Sequence, residues 1–191
     1  SYLQVKKLAR IITDACPSAW VVVGGNMAVC ANVLLNKAEV DICVLGDGEK
    51  TWVGLLDYVK RYGMERNIEE LLKIKGIAFL NYKSELEFTG YGEPIADNEY
   101  VYPDYDILAT GLIQKPSLID NYFRDGRDCN EFKNDIRSYE PYRNQKMAML
   151  WTTKGCVAKC TFCQRFCKGY HTFDLQELDR HLAELKEKHN V

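Results

Sequence analysis

Residues 19–49 read AWVVVGGNMAVCANVLLNKAEVDICVLGDGE. Ala19–Val23 is a short, wholly apolar run, the composition of a strand buried on both faces. Gly24-Gly25 ends it at once, and a helical stretch follows from about Met27 to Asn36. Val40–Leu45 (VDICVL) is a second buried strand, closed by Gly46-Asp47-Gly48-Glu49-Lys50-Thr51. Strand, helix and strand, with glycines at the carboxyl end of each strand, predict an open α/β architecture with a doubly wound parallel sheet.

The pattern extends in both directions. Upstream, Val5, Leu8, Ile12 and Ala15 fall on one face of a helix over residues 2–14, which Pro17 ends. Downstream, Val53, Leu55, Leu56 and Val59 mark another helix, and a short helix near Ile68–Lys73 leads to a third strand at Gly76–Leu80. Residues 82–88 pair with that strand as a hairpin. Residues 90–106 turn to Gly, Pro, Asp, Asn and Tyr and read as a linker. A helix is expected at Ile113–Arg124, with Pro116 near its first turn, and 125–146 is polar and irregular. Met147–Trp151 (MAMLW) reads as a new buried strand. Asp174 opens a final helix, with Glu177 completing a capping box and Leu175, Leu178, Leu182 and Leu185 as its apolar stripe.

The 191 residues leave room for one or two domains. A formal net charge of −2 gives no reason to expect a polyanion such as nucleic acid as partner. No apolar run approaches the ~20 residues of a membrane span, and the N-terminus carries no secretory pattern. The eight cysteines are uneven: Cys16, Cys30, Cys43 and Cys129 are scattered, and the rest crowd between Cys156 and Cys167. Cys30 and Cys43 lie in apolar patterns, where cysteine serves as a small hydrophobe. A cluster like the second points to a metal site before a disulfide framework.

That cluster runs Thr153-Lys154-Gly155-Cys156-Val157-Ala158-Lys159-Cys160-Thr161-Phe162-Cys163, a CxxxCxxC spacing with an aromatic residue before the third cysteine. Three thiolates on one loop suit an iron–sulfur cluster and leave one iron open to another ligand. Gly155 lets the backbone approach a bulky inorganic group. Cys167 keeps two alternatives open: a four-thiolate zinc shell, or a four-cysteine electron-transfer cluster. His171 reads as a surface or loop residue.

On these residues the chain resembles the radical S-adenosylmethionine superfamily. Met147–Trp151 would be the first strand of its (β/α) barrel and Asp174–Lys188 the first helix. The resemblance implies that Cys156, Cys160 and Cys163 ligate a 4Fe–4S cluster. It further implies that S-adenosylmethionine chelates the open iron with its adenine against the backbone of Phe162, and that a reductant such as flavodoxin or ferredoxin supplies the electron. Reductive cleavage would yield a 5′-deoxyadenosyl radical that abstracts hydrogen from the substrate.

The glycine-paired strands upstream resemble the Rossmann-like cobalamin-binding domain fused to such barrels. By that likeness Gly24, Gly25, Gly46, Gly48 and Glu49 line cobalamin, and methyl transfer is the expected reaction class, with other radical reactions beside it. The chain departs from the family pattern in having no Asp-x-His-x-x-Gly motif and no further strands ahead of Ala19. The expected organisation is a partial cobalamin-binding-like domain at 1–89, a linker with short helices at 90–146, and the start of the radical domain at 147–191. The chain is therefore expected to be an excerpt of a longer polypeptide, or to complete its sheets with a partner chain. A reducing, cytoplasmic location follows from the cluster. The alternative is a non-catalytic iron–sulfur or zinc interaction module. A phosphate-binding half-domain is weaker, since G-x-G-x-x-G does not occur.

Overall fold

The computed structural model describes residues 1–96, 99–107, 122–123, 146–161, 163 and 169–191. They divide into two units, Ser1–Ala96 with Gly155–Tyr170, and Asp97–Lys154 with His171–Val191. The protein is of mixed α/β class. No helix among the described residues is long and apolar enough to cross a membrane.

In the first unit the apolar runs become strands. These are β1 (Val22–Val23), β2 (Ile42–Val44), β3 (Ile77–Leu80) and β4 (Leu86–Phe88), in the order β1-β2-β3-β4. The helices are α1 (Tyr2–Ala15), α2 (Ala31–Lys37), α3 (Glu49–Tyr62) and α4 (Ile68–Leu71), and a 3-10 helix at Gly25–Cys30 precedes α2. Side chains alternate across the sheet as strand geometry requires. Cys43, Leu45 and Ala78 join Ala9, Leu34 and Leu35 in one core; Ile42, Val44, Ile77 and Phe79 join Leu55, Tyr58 and Leu71 in the other. Helices therefore cover both faces: α1 and α2 on one, α3 and α4 on the other.

The sheet is mixed, which corrects the expectation of parallel strands. Val22 pairs with Ile42 in parallel register, and β3–β4 is the expected hairpin with Leu80 opposite Leu86, but β2–β3 is antiparallel, with Val44 opposite Ile77. The connection explains the reversal. Helix α3 starts beyond the carboxyl end of β2 and carries the chain back along it, as a parallel crossover would. The chain then returns through α4, so that the Lys75 carbonyl accepts a hydrogen bond from Thr51 Oγ1 at 2.8 Å, in the first turn of α3. Strand β3 thus begins where β2 ends.

At the opposite end, Asp41 holds β1 to β2. Its carboxylate accepts from the Val21 amide at 2.8 Å and pairs with the Arg66 guanidinium. The expected apolar stripes are only partly buried. Leu8 of α1 and Val53 and Leu56 of α3 are exposed, while Ala9, Thr51, Leu55 and Tyr58 face inward. Cys30 is exposed too, so only Cys43 of that pair acts as a core hydrophobe.

The second unit is built on aromatic rings around α5 (Leu175–His189). Asp174 caps this helix as expected, accepting from the amides of Gln176 at 2.8 Å and Glu177 at 3.1 Å. The Glu177 carboxylate instead meets Arg180. The leucine stripe is corrected: Leu175 is 76 % exposed and Leu182 44 %, whereas His181 and Leu185 are buried. The His181 ring stacks on Tyr102 with centroids 4.2 Å apart, and Phe173 lies against Tyr100 at 4.6 Å. Tyr100, Tyr102 and Phe173, with the His181 ring, thus take the place that a continuous leucine stripe would have filled.

The strand expected at Met147–Trp151 does not form. Residues 147–152 take no regular structure, and Met149 and Trp151 are exposed. Strand formation moves to β5 (Thr153–Cys156), where β6 (Gly169–Thr172) satisfies its backbone groups. The helix expected at Ile113–Arg124 and the segment 125–146 lie outside the described residues, save Tyr122, Phe123 and Lys146.

Desolvation holds the His181 pKa below its ordinary value; Glu184 opposes this, and Arg180 and His189 add to it. The folded state prefers the neutral ring, so this contribution is complete above the unfolded pKa of about 6.5. It is lost as pH falls below that value toward the folded one. His181→Phe keeps a ring beside Tyr102 but takes up no proton. Urea unfolding should show the wild type losing more stability than this variant between neutral pH and about pH 5. Equal losses would show that another group carries the dependence.

Candidate metal centre

Cys156 ends β5, and the loop to β6 carries Cys160 and Cys163. Gly155 stands before the first cysteine at φ +88° and Gly169 opens β6 at φ +91°, left-handed conformations that favour glycine. Short-range bonds shape the loop. The Ala158 amide donates to Cys156 Sγ at 3.4 Å, and the Cys163 amide donates to the Cys160 carbonyl at 3.2 Å. All three thiols are free and exposed. His171 lies in β6 and is half-buried.

The loop thus gathers the predicted ligands on one short segment. It does not bring them to a point: among the described residues, no three Cys, His, Asp or Glu side chains converge as a metal shell. Phe162 and Cys167 lie outside the described residues. The donor set still fits a thiophilic group. Three accessible thiols form it, and one of them accepts an N–H···S bond from the Ala158 amide. Cys43 is the contrast. Burial, with the nearby Cys30 adding to it, pushes its thiol up to about 12, which favours the protonated form.

The glycines expected to line cobalamin behave differently from one another. Gly24 and Gly25 are exposed, and a Cβ on Gly25 would meet nothing within 4 Å. Gly46 has φ +86°, and its Cβ would lie 2.8 Å from the Gly92 nitrogen. That nitrogen donates to the Leu45 carbonyl at 2.7 Å. A Cβ on Gly92 would run into the Asp47 carbonyl oxygen, and one on Gly76 would lie 2.5 Å from Thr51 Oγ1. Gly48 makes only ordinary contact with Val44, and Glu49 sits exposed in the first turn of α3. Residues 91–95 therefore fill the crevice at Gly46 with the chain's own backbone, and Ile95 reaches the buried Asp47 carboxylate at 3.4 Å. Cobalamin does not fit there.

The sequence reading missed a cleft of about 610 Å³ at the other end of the sheet, lined in part by Trp20, Asp41, Met64, Glu65 and Arg66. Its one legible signal was Asp41, a charge set inside an apolar strand run. No protein-family model matches the chain, and no curated protein matches it.

Substitution of the glycines separates packing from backbone strain. Gly25→Ala should cost about 1 kcal/mol, the strain of a left-handed alanine alone. Gly92→Ala and Gly76→Ala should cost about 3 kcal/mol each, because backbone or a buried hydroxyl stands where the methyl must go. Denaturant midpoints measure the difference. Equal costs at Gly25 and Gly92 would mean that the carboxyl end is not closed.

Proposed function

We propose that Cys156, Cys160 and Cys163 hold a 4Fe–4S cluster and that the chain acts in a radical S-adenosylmethionine enzyme on an unidentified substrate. The observation that carries this reading is the exposure of three free thiols at CxxxCxxC spacing in one loop, behind a left-handed glycine. When bound, such a cluster supplies one electron to S-adenosylmethionine at low potential.

The chain's own residues do the rest. The β5–β6 pairing fixes the base of the loop, and Gly155 supplies the left-handed backbone turn just before Cys156. The Ala158 amide donates to the Cys156 sulfur at 3.4 Å and so helps to hold the first donor at the base of the loop. Exposure of the loop suits contact with a small electron-transfer protein and requires a reducing compartment. Cobalamin is not carried into this reading, because Gly46 packs against Gly92, and methyl transfer, which rested on it, is not carried either.

One observation favours a second reading. The loop lies between two paired strands, an arrangement also found in zinc modules. A non-catalytic zinc site would use the same thiols.

Anaerobic reconstitution with iron and sulfide distinguishes the two. The reduced chain should show a 4Fe–4S EPR signal that changes when S-adenosylmethionine is added. Cys156→Ser, Cys160→Ser and Cys163→Ser should each weaken iron binding by about 100-fold or more, and Cys43→Ser should leave it unchanged. A colourless chain carrying one zinc would sink the radical reading.

A further inference from the structure

Cys160 and Cys163 form a CxxC pair within the loop. The Cys163 amide donates to the Cys160 carbonyl at 3.2 Å, an i to i+3 bond that closes a turn. A turn of this kind holds its end Cα atoms within about 7 Å. Disulfides span Cα separations of about 4.4–6.8 Å. Both thiols are free and exposed, so an external disulfide can reach either one. Cys156 is placed differently: it ends β5, and its sulfur already accepts from the Ala158 amide.

We infer that Cys160 and Cys163 form a reversible disulfide, a redox state of the loop that excludes metal. The oxidant is a small-molecule disulfide of the glutathione class. The thiolate of one cysteine attacks a sulfur of that disulfide and releases one small thiolate. The second cysteine's thiolate then attacks the mixed disulfide and releases the other. One S–S bond is broken and one formed, two electrons pass from the protein to the oxidant, and the two cysteine protons go to solvent or to the leaving thiolates. The oxidised pair has no thiolate to give a metal, so two of the three donors are withdrawn together. The disulfide stands without the cluster reading; its effect on loading rests on it.

Trypsin cleaves after Lys159 and Arg165, placing Cys160 and Cys163 together on the peptide CTFCQR and Cys156 alone on GCVAK. The metal-free full chain is equilibrated anaerobically in buffers of rising oxidised glutathione, alkylated and digested. The expected result is a CTFCQR peptide lighter by two hydrogens and unlabelled, with GCVAK alkylated, and full reversal by a dithiol. Two labelled cysteines in the most oxidising buffer, or a bridge that joins Cys156 to either, overturns the inference. In the second arm, reduced and oxidised chains receive ferrous iron alone, without sulfide, which would itself cleave the disulfide. Uptake by the oxidised chain should fall to roughly one-tenth of that by the reduced chain. Equal uptake overturns the exclusion of metal. No uptake by the reduced chain refutes metal binding by these thiols and leaves the disulfide to the peptide result.

Discussion

The carboxyl end of the first unit depends on three glycine backbones that meet with no side chain between them. Gly46, Gly76 and Gly92 stand closer to their neighbours than any Cβ would allow. The approach completes the hydrogen bonding of Leu45, whose amide donates to the Gly76 carbonyl at 2.8 Å and whose carbonyl accepts from Gly92 at 2.7 Å. A buried backbone group left without a partner costs several times what the bond itself adds. The same approach buries Asp47 and Thr51, each 3 % exposed, and gives each a backbone partner. Glycine here closes a layer of the core instead of opening a crevice.

This closure bears on the rule that α/β sheets bind ligands beyond the carboxyl ends of parallel strands. The rule needs neighbouring parallel strands whose connections diverge and leave a gap. Here only β1 and β2 are parallel, and β3 starts at that end, so its incoming chain occupies the gap. The charges agree with the packing. Glu49 lies in the first turn of α3, where the positive end of the helix dipole would otherwise attract an anion. A carboxylate already in that position disfavours a phosphate.

Three strand positions were legible as short apolar runs, ICV and IAFL largely buried and the two-residue VV half-buried. Strand direction was not. It was set by the length of chain between Tyr62 and Ile77, long enough to retrace the sheet, and no residue type announces that. MAMLW has a strand's composition yet forms none, because a strand is specified by its partner as much as by itself. The leucines of α5 misled for a related reason. Periodicity names a face, but Tyr102 and Phe173 decide which neighbours fill it, and a stacked histidine took the central place.

The cysteine loop divides along the same line. Its donor types and spacing are written in the sequence; the convergence of the donors is not, and the fold does not supply it. The bonds found within the loop are short-range ones, between residues two or three apart. A group bound there must therefore contribute the energy that gathers the sulfurs, as metal binding commonly contributes folding energy. Selectivity among the cysteines then comes from access. Cys43 is sealed in the core with its thiol pushed up to about 12, while Cys16 and Cys30 are exposed but isolated in sequence. Among the described cysteines, those of the loop combine exposure with close neighbours in sequence. The exposure that would admit a metal also admits an oxidant, so the proposed metal site and the proposed disulfide draw on the same property of the loop.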